Sequence, residues 1–396
     1  MSILIFILLI PFSLSFHSSR IDTFGIRSKG RVWSSTFDIH DPDSKPMLQE
    51  EEENEELDAS SSISVPLKWL GPYPALALRF PNLATSSQRE RNVTGVSLDF
   101  VLDTAANTNT INAKVSDELE LKVVGEALPG VGAAGVISGG NTFLLGDCEL
   151  DGLPKTEDPF IFMKELTASA LPISNPASAG LLSLAFLQCF PGGVEFIWGL
   201  VEEGKIVEFP SVVFHADESL LPDNMQKVIV TRIPVTQLPS VTVFINGFKM
   251  PALLDTGSPI TVINHQAAKL ARVQTFDIPD VQKSLNPFAK VSNSFKLAQA
   301  VGKGEVLQLA SNDGIPINLV KSTEMIAIDV EGSDERPLPF GESRIFVGDL
   351  PGLAALNGIG VDSPPAVVLG MDVLRKRPRM WLRAQQNEVW FSSKFT

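Results

Sequence analysis

From residue 64 onward the chain alternates short apolar runs with turn residues, the pattern of strands rather than of long amphipathic helices. Leu67-Lys68-Trp69-Leu70 and Ala75 to Phe80 read as strands parted by Gly71-Pro72, and Val93 to Leu102 reads as a third. Ile111 to Leu121 gives a short helix candidate with Val115 and Leu119 on one face, and Ala267 to Val273 gives another. Val194 to Trp198 and Glu388 to Phe391 are strand candidates, as are Val228 to Ile233 and Val241 to Ile245.

One stretch organises the rest. Ala252-Leu253-Leu254-Asp255-Thr256-Gly257-Ser258-Pro259-Ile260 drives an apolar strand into a tight turn that carries a carboxylate, and Thr261-Val262-Ile263-Asn264 leaves it. Gly257 is expected there for backbone angles that other residues avoid. The same phrase stands 152 positions upstream as Phe100-Val101-Leu102-Asp103-Thr104-Ala105-Ala106, with Ile111-Asn112 matching Ile263-Asn264. A second pair follows at Leu181-Leu182-Ser183-Leu184 and Val368-Leu369-Gly370-Met371. An internal duplication accounts for both pairs.

A lone Asp-Thr-Gly is expected by chance in roughly one of twenty chains of this length. Two such turns with repeated flanks are more specific, and in this they resemble the aspartic peptidases, of the pepsin or single-chain tandem retropepsin-like kind. The resemblance implies an all-β, bilobal acid-protease fold of two duplicated lobes with few short helices. It implies the lobes 64–215 and 216–396, which follow a signal peptide (1–15) and a transit-like segment with an acidic disordered linker (16–63), both read from the composition of the leader. It also implies an aspartic endopeptidase, a hydrolase in which Asp103 and Asp255 share a proton and activate water, acting on a peptide or protein substrate as a monomer. The alternative is a peptide-binding protein of the same fold without a working dyad. Thr104 and Thr256 would cross-brace the two loops.

Gly130 to Gly140 is the most glycine-dense stretch, and the strand-like Phe143-Leu144-Leu145 after it argues against a phosphate loop, which would lead into a helix. A hairpin fits better. By the resemblance, Gly135, Val136 and Ile137 would form a flap over the substrate; the other reading is an ordinary flexible hairpin.

Two asymmetries bear on the chemistry. Ser258 could donate to Asp255, whereas Ala106 offers Asp103 nothing, so Asp255 is expected to carry the charge and Asp103 the proton. Ser258→Ala would then raise the acidic limb of a pH profile. Ala105 replaces the expected Gly, at a cost of about 1 kcal/mol if that position needs a positive backbone angle, and Ser183 replaces a second expected Gly. The insertion that lengthens the second copy falls within Asp280 to Leu356, a stretch rich in Gly, Pro, Asn and Ser; insertions of this kind sit on loops and often tune partners or substrates.

Composition narrows the partners. The 396 residues are 44% hydrophobic with formal net charge −14, which allows an ample core and disfavours nucleic acid. The four histidines and two cysteines are scattered, so neither a metal nor another cofactor is expected, and Cys148 and Cys189 are either free thiols or one bridge. No Gly-x-Ser-x-Gly elbow marks a serine hydrolase. Ile3 to Leu14 is too short for a membrane span and reads as a signal, so the chain is not expected to be an integral membrane protein once it is cleaved. The Ser- and Arg-bearing segment after it resembles the second half of a bipartite plastid-targeting leader; secretion is the alternative. Glu50 to Asp58 holds seven acids in nine positions and reads as a solvated linker.

Overall fold

A computed structural model of the chain describes residues 24–28, 31–35 and 62–393, except 128–129, 133–134, 138, 152, 154–161, 172–176, 203–204, 235, 280–286, 310–315 and 358–362. The expected signal (1–15) and the Glu50 to Asp58 linker lie outside these residues. Within the transit-like segment, Phe24–Ser28 and Arg31–Ser35 pair as an antiparallel hairpin.

The protein is mostly β-strand, in three main sheets. An eight-stranded sheet runs Lys68–Leu70, Tyr73–Phe80, Val96–Leu102, Gly180–Leu182, Thr110–Asn112, Met163–Leu171, Asn141–Leu150, Lys122–Glu126, and curls so that Asn141–Leu150 also pairs with Tyr73–Phe80. In a ten-stranded sheet, Phe248–Leu254, Val367–Leu369, Val262–Ile263 and Phe346–Val347 repeat part of that order.

The repeat is a repeat of hydrogen bonding. Val96–Leu102 runs parallel to Gly180–Leu182, as Phe248–Leu254 does to Val367–Leu369; each of those short strands then lies antiparallel to the strand leaving the Asp turn. Strands paired on both edges and covered on both faces read as continuous apolar runs. Phe100, Val101, Leu102, Leu253 and Leu254 are accordingly all buried.

The third sheet, of six strands, joins the copies. Gly193–Ile197 and Glu388–Ser392, the closing strands of the two copies, meet in it on either side of Arg379–Arg383, and Ser62–Pro66 forms one edge. A single cluster of buried apolar side chains extends through both copies. Its aromatic centre packs Phe162, Phe186, Phe190 and Phe214 with ring centroids 4.5 to 6.2 Å apart.

Three sequence expectations need correction. The first helix is Ala113–Leu119, because Ile111 and Asn112 belong to the strand and the Asn112 side chain caps the helix by accepting from the Lys114 N–H. Its counterpart is His265–Leu270, capped in the same way by Asn264 at the Ala267 N–H, 2.8 Å away. The stretch 280–356, within which the insertion falls, is not simply loop: it holds the 16-residue Pro287–Gly302 helix and the strands Val306–Leu309, Ile317–Lys321, Ile326–Glu331, Pro337–Ser343 and Phe346–Val347. Its polar composition reflects strands covered on one face only. No described helix is long and apolar enough to cross a membrane.

Candidate functional site

The two Asp turns meet. Each turn is delivered by a buried strand, and its main chain is held by the short strand crossing beneath: the Asp103 N–H donates to Leu182 O at 2.9 Å and the Asp255 N–H to Leu369 O at 3.1 Å. The turns are then tied to each other. Thr104 Oγ1 donates to Leu254 O and Thr256 Oγ1 to Leu102 O, both at 2.7 Å. In return, the Thr104 N–H donates to Thr256 Oγ1 at 3.1 Å and the Thr256 N–H to Thr104 Oγ1 at 3.0 Å. Four reciprocal bonds between fully buried groups fix the pair of loops as one unit.

This lock places the carboxyl of Asp103 against the opposite loop. A methyl built on Gly257 would lie 2.4 Å from Asp103 Cγ and Oδ2, so Gly257 serves space. The expected backbone role is corrected: neither Gly257 nor Ala105 has a positive φ, and Ala105 carries no conformational cost. Ser183 is equally at home. Its N–H and Oγ both donate to Asn109 Oδ1, at 3.0 and 3.1 Å, whereas a methyl on Gly370 would meet Ile260 O at 2.3 Å. In the first copy the tight approach has moved to Gly180, where a methyl would lie 1.9 Å from Thr110 O.

Both acids are buried, 2% and 3% exposed. Burial raises Asp103 from the ordinary carboxylate range to about 7, against the opposing pull of the Ala105 and Ala106 N–H groups. Burial first, and the charge of Asp103 second, push Asp255 well above its usual value, against the Gly257 and Ser258 N–H groups. The local contacts agree. Asp103 Oδ1 accepts from the Ala105 N–H at 2.8 Å, while Asp255 Oδ1 is buried with no hydrogen-bond partner. Both carboxyls are thus held above the ordinary range, and the Ser258 hydroxyl contact from which a charge on Asp255 was expected is not formed. The reason is the direction of Ser258: its Oγ donates to Ile260 O at 2.6 Å, closing a local turn instead of reaching Asp255. Two carboxyls that share a proton present one donor and one acceptor to a neutral polar group.

Residues that pattern reading missed support the loops. Thr261 Oγ1 donates to the half-buried Asp372 at 2.7 Å and accepts from the Gly370 N–H at 3.1 Å. Asn109, 152 positions before Thr261, does the equivalent work for Ser183. The offset was the available signal, and the change from Asn to Thr concealed it.

The glycine-dense stretch forms an antiparallel hairpin, Gly130–Gly132 with Gly135–Ile137, whose first strand packs near the Pro351–Leu356 turn of helix. Residues 133–134 and the side chains of Gly135, Val136 and Ile137 lie outside the described parts. Cys148 and Cys189 are free, and burial pushes each thiol up to about 12. Among the described residues, no group of three or more His, Cys, Asp or Glu is placed to hold a metal.

Comparison with known protein families gives no match, and no curated protein matches. Solved structures overlay at low similarity. Basic 7S globulin from soybean is 10% identical over 81% of this chain and 94% of its own, with TM-score 0.41. Conglutin gamma, a basic 7S globulin from lupine seeds, is 11% identical over 81% of this chain and 95% of its own, with TM-score 0.40. The protein named edgp is 11% identical over 84% and 95%, with TM-score 0.39.

These comparisons correct the expected family. Two of these solved structures are named as globulins, and no family model or curated protein matches, so the chain is not assigned to the pepsin-like or retropepsin-like peptidases. The aspartic endopeptidase activity, the hydrolase reading and the peptide-binding alternative without a working dyad are withdrawn with that assignment. The physical reason is general: a repeated turn records duplication of a structural unit, and an architecture does not carry an activity with it. Likeness at this level likewise transfers no role from the globulins to this chain.

Proposed function

We propose that Asp103 and Asp255 form a buried acid–base centre that binds a neutral polar group, with Asp255 as proton donor and Asp103 as acceptor. The observation that carries the reading is the unpartnered, buried Oδ1 of Asp255 beside a carboxylate pressed onto Gly257. An orphaned buried oxygen costs about 1–3 kcal/mol, a cost that a ligand at the pair would offset. Thr104 and Thr256 hold the geometry, Ala105 supplies an N–H to Asp103, and the Ser258 hydroxyl acts only within its own turn. In the same reading, residues 64–215 and 216–396 are two lobes that each contribute one acid, and the hairpin at Gly135, Val136 and Ile137 borders the approach.

Difference infrared spectroscopy tests this. At about pH 8, above the value near 7 for Asp103, one protonated carboxyl band is expected, lost in Asp255→Asn and kept in Asp103→Asn and Ser258→Ala. Acetamide, a small neutral probe with a donor and an acceptor, is expected to shift that band. Two ionised carboxylates at this pH, or loss of the band in Asp103→Asn but not in Asp255→Asn, would overturn the assignment of the proton. A band indifferent to acetamide would overturn the binding role.

A further inference from the structure

The Pro287–Gly302 helix lies in the insertion and takes no part in the acid pair. Its inner side is ordinary: Ala300 is buried, Asn293 and Leu297 are half-buried, and the helix packs against Val306–Leu309. Its outer side is not. Phe288, Val291 and Phe295 are 86%, 72% and 74% exposed, and their spacing of three and four residues sets them in one row. The only charged residues within the helix are Lys290 and Lys296, both exposed, in a chain with 46 acidic residues. An exposed aromatic and aliphatic row flanked by lysines and free of acids has the composition of a helix that lies in a lipid interface, with lysine heads directed at anionic headgroups.

We infer that this helix docks the protein onto an anionic lipid surface, with Val291 and Phe295 entering the headgroup boundary and Lys290 and Lys296 facing the lipid charges. The row stands on a convex helix and not in a groove, which suits a planar fluid surface better than a protein partner. The net charge of −14 opposes approach of the whole molecule, but repulsion is screened beyond roughly 8 Å at physiological salt. Contact is thereby confined to the part of the surface where the helix presents no acids.

The test is co-sedimentation of the full chain with vesicles of phosphatidylcholine alone, or with about a third phosphatidylglycerol. The apolar Ile3 to Leu14 run adds the same background to every variant, so differences between variants are read. Binding is expected to favour the anionic vesicles and to fall roughly 100-fold in V291S/F295S, as two apolar side chains lose their burial. In K290E/K296E the preference for anionic vesicles should disappear, each lysine accounting for roughly fivefold. All four substitutions are on the surface, and unchanged circular dichroism melting confirms that the fold is retained. Binding that is absent, or that is the same in both double variants as in the wild type, overturns the inference. So does analytical ultracentrifugation showing that V291S/F295S abolishes a dimer while vesicle binding persists, which would make the row a contact between copies.

Discussion

Replacing Gly257 by Ala isolates the steric fit that brings the acids together. The residue has no positive φ, so the added methyl meets no backbone penalty and its effect is purely spatial. The methyl would stand 2.4 Å from Cγ and Oδ2 and 2.7 Å from Oδ1 of Asp103, about 1 Å inside the usual separation of roughly 3.5 Å. A surface carboxyl would swing aside. This one is held by the Ala105 N–H at 2.8 Å and is fully enclosed, so moving it breaks a charge-assisted bond and disturbs packed neighbours. Overpacking costs typically 1–3 kcal/mol, and loss of a bond to a charged group about 1.5–3, so a total of about 3 kcal/mol is expected. Urea denaturation measures it as a lower midpoint at unchanged slope. The infrared titration should also change, since displacing Asp103 weakens its hold on the Asp255 proton. Ala105→Gly is the control: it removes a methyl and should cost no more than about 1 kcal/mol, chiefly through the flexibility of the unfolded chain. A G257A protein with wild-type midpoint and wild-type titration would refute the placement of Asp103 over the opposite loop.

Two further outcomes follow from the same geometry. Thr256→Val keeps the volume but removes the acceptor of the Thr104 N–H and the donor to Leu102 O; it should cost about 2–4 kcal/mol in urea denaturation, with Thr256→Ser recovering most of it. The pH dependence has a definite sign. The folded-state value for Asp103, about 7, lies above its ordinary 3.8, so between these values the folded state binds more protons than the unfolded state. This contribution is therefore fully present below about 4, and stability falls as pH rises towards 7, by an amount on the order of a few kcal/mol. Asp103→Asn should flatten that slope between pH 4 and 7, and a slope unchanged in the variant would refute the assignment to Asp103.

Much of this was legible in the sequence because the chain says it twice. The offset between Asp103 and Asp255 also relates Asn112 to Asn264 and Ala106 to Ser258, and the structure uses each pair at equivalent positions: the N–H of Leu184 bonds Ala106 O and that of Met371 bonds Ser258 O, at 2.9 and 2.8 Å. Strand pairing that depends on main-chain groups survives such substitutions, so the repeated topology could be read from apolar runs alone. Side-chain direction could not. Ser258 occupies the right sequence distance to serve Asp255, yet its hydroxyl finds Ile260 O first, because a serine in a turn satisfies its own backbone at little entropic cost. That local preference removes the contact on which the expected order of the two acids rested, and Oδ1 of Asp255 is left without a partner. The insertion misled for a related reason: Gly, Pro and Asn mark turns, but they say nothing of the strands between them, whose apolar residues alternate with polar ones as at Ile326, Ile328 and Val330. The residues that hold the pair were therefore found by their spacing. The direction of the Ser258 hydroxyl became visible only once it had been followed to its partner.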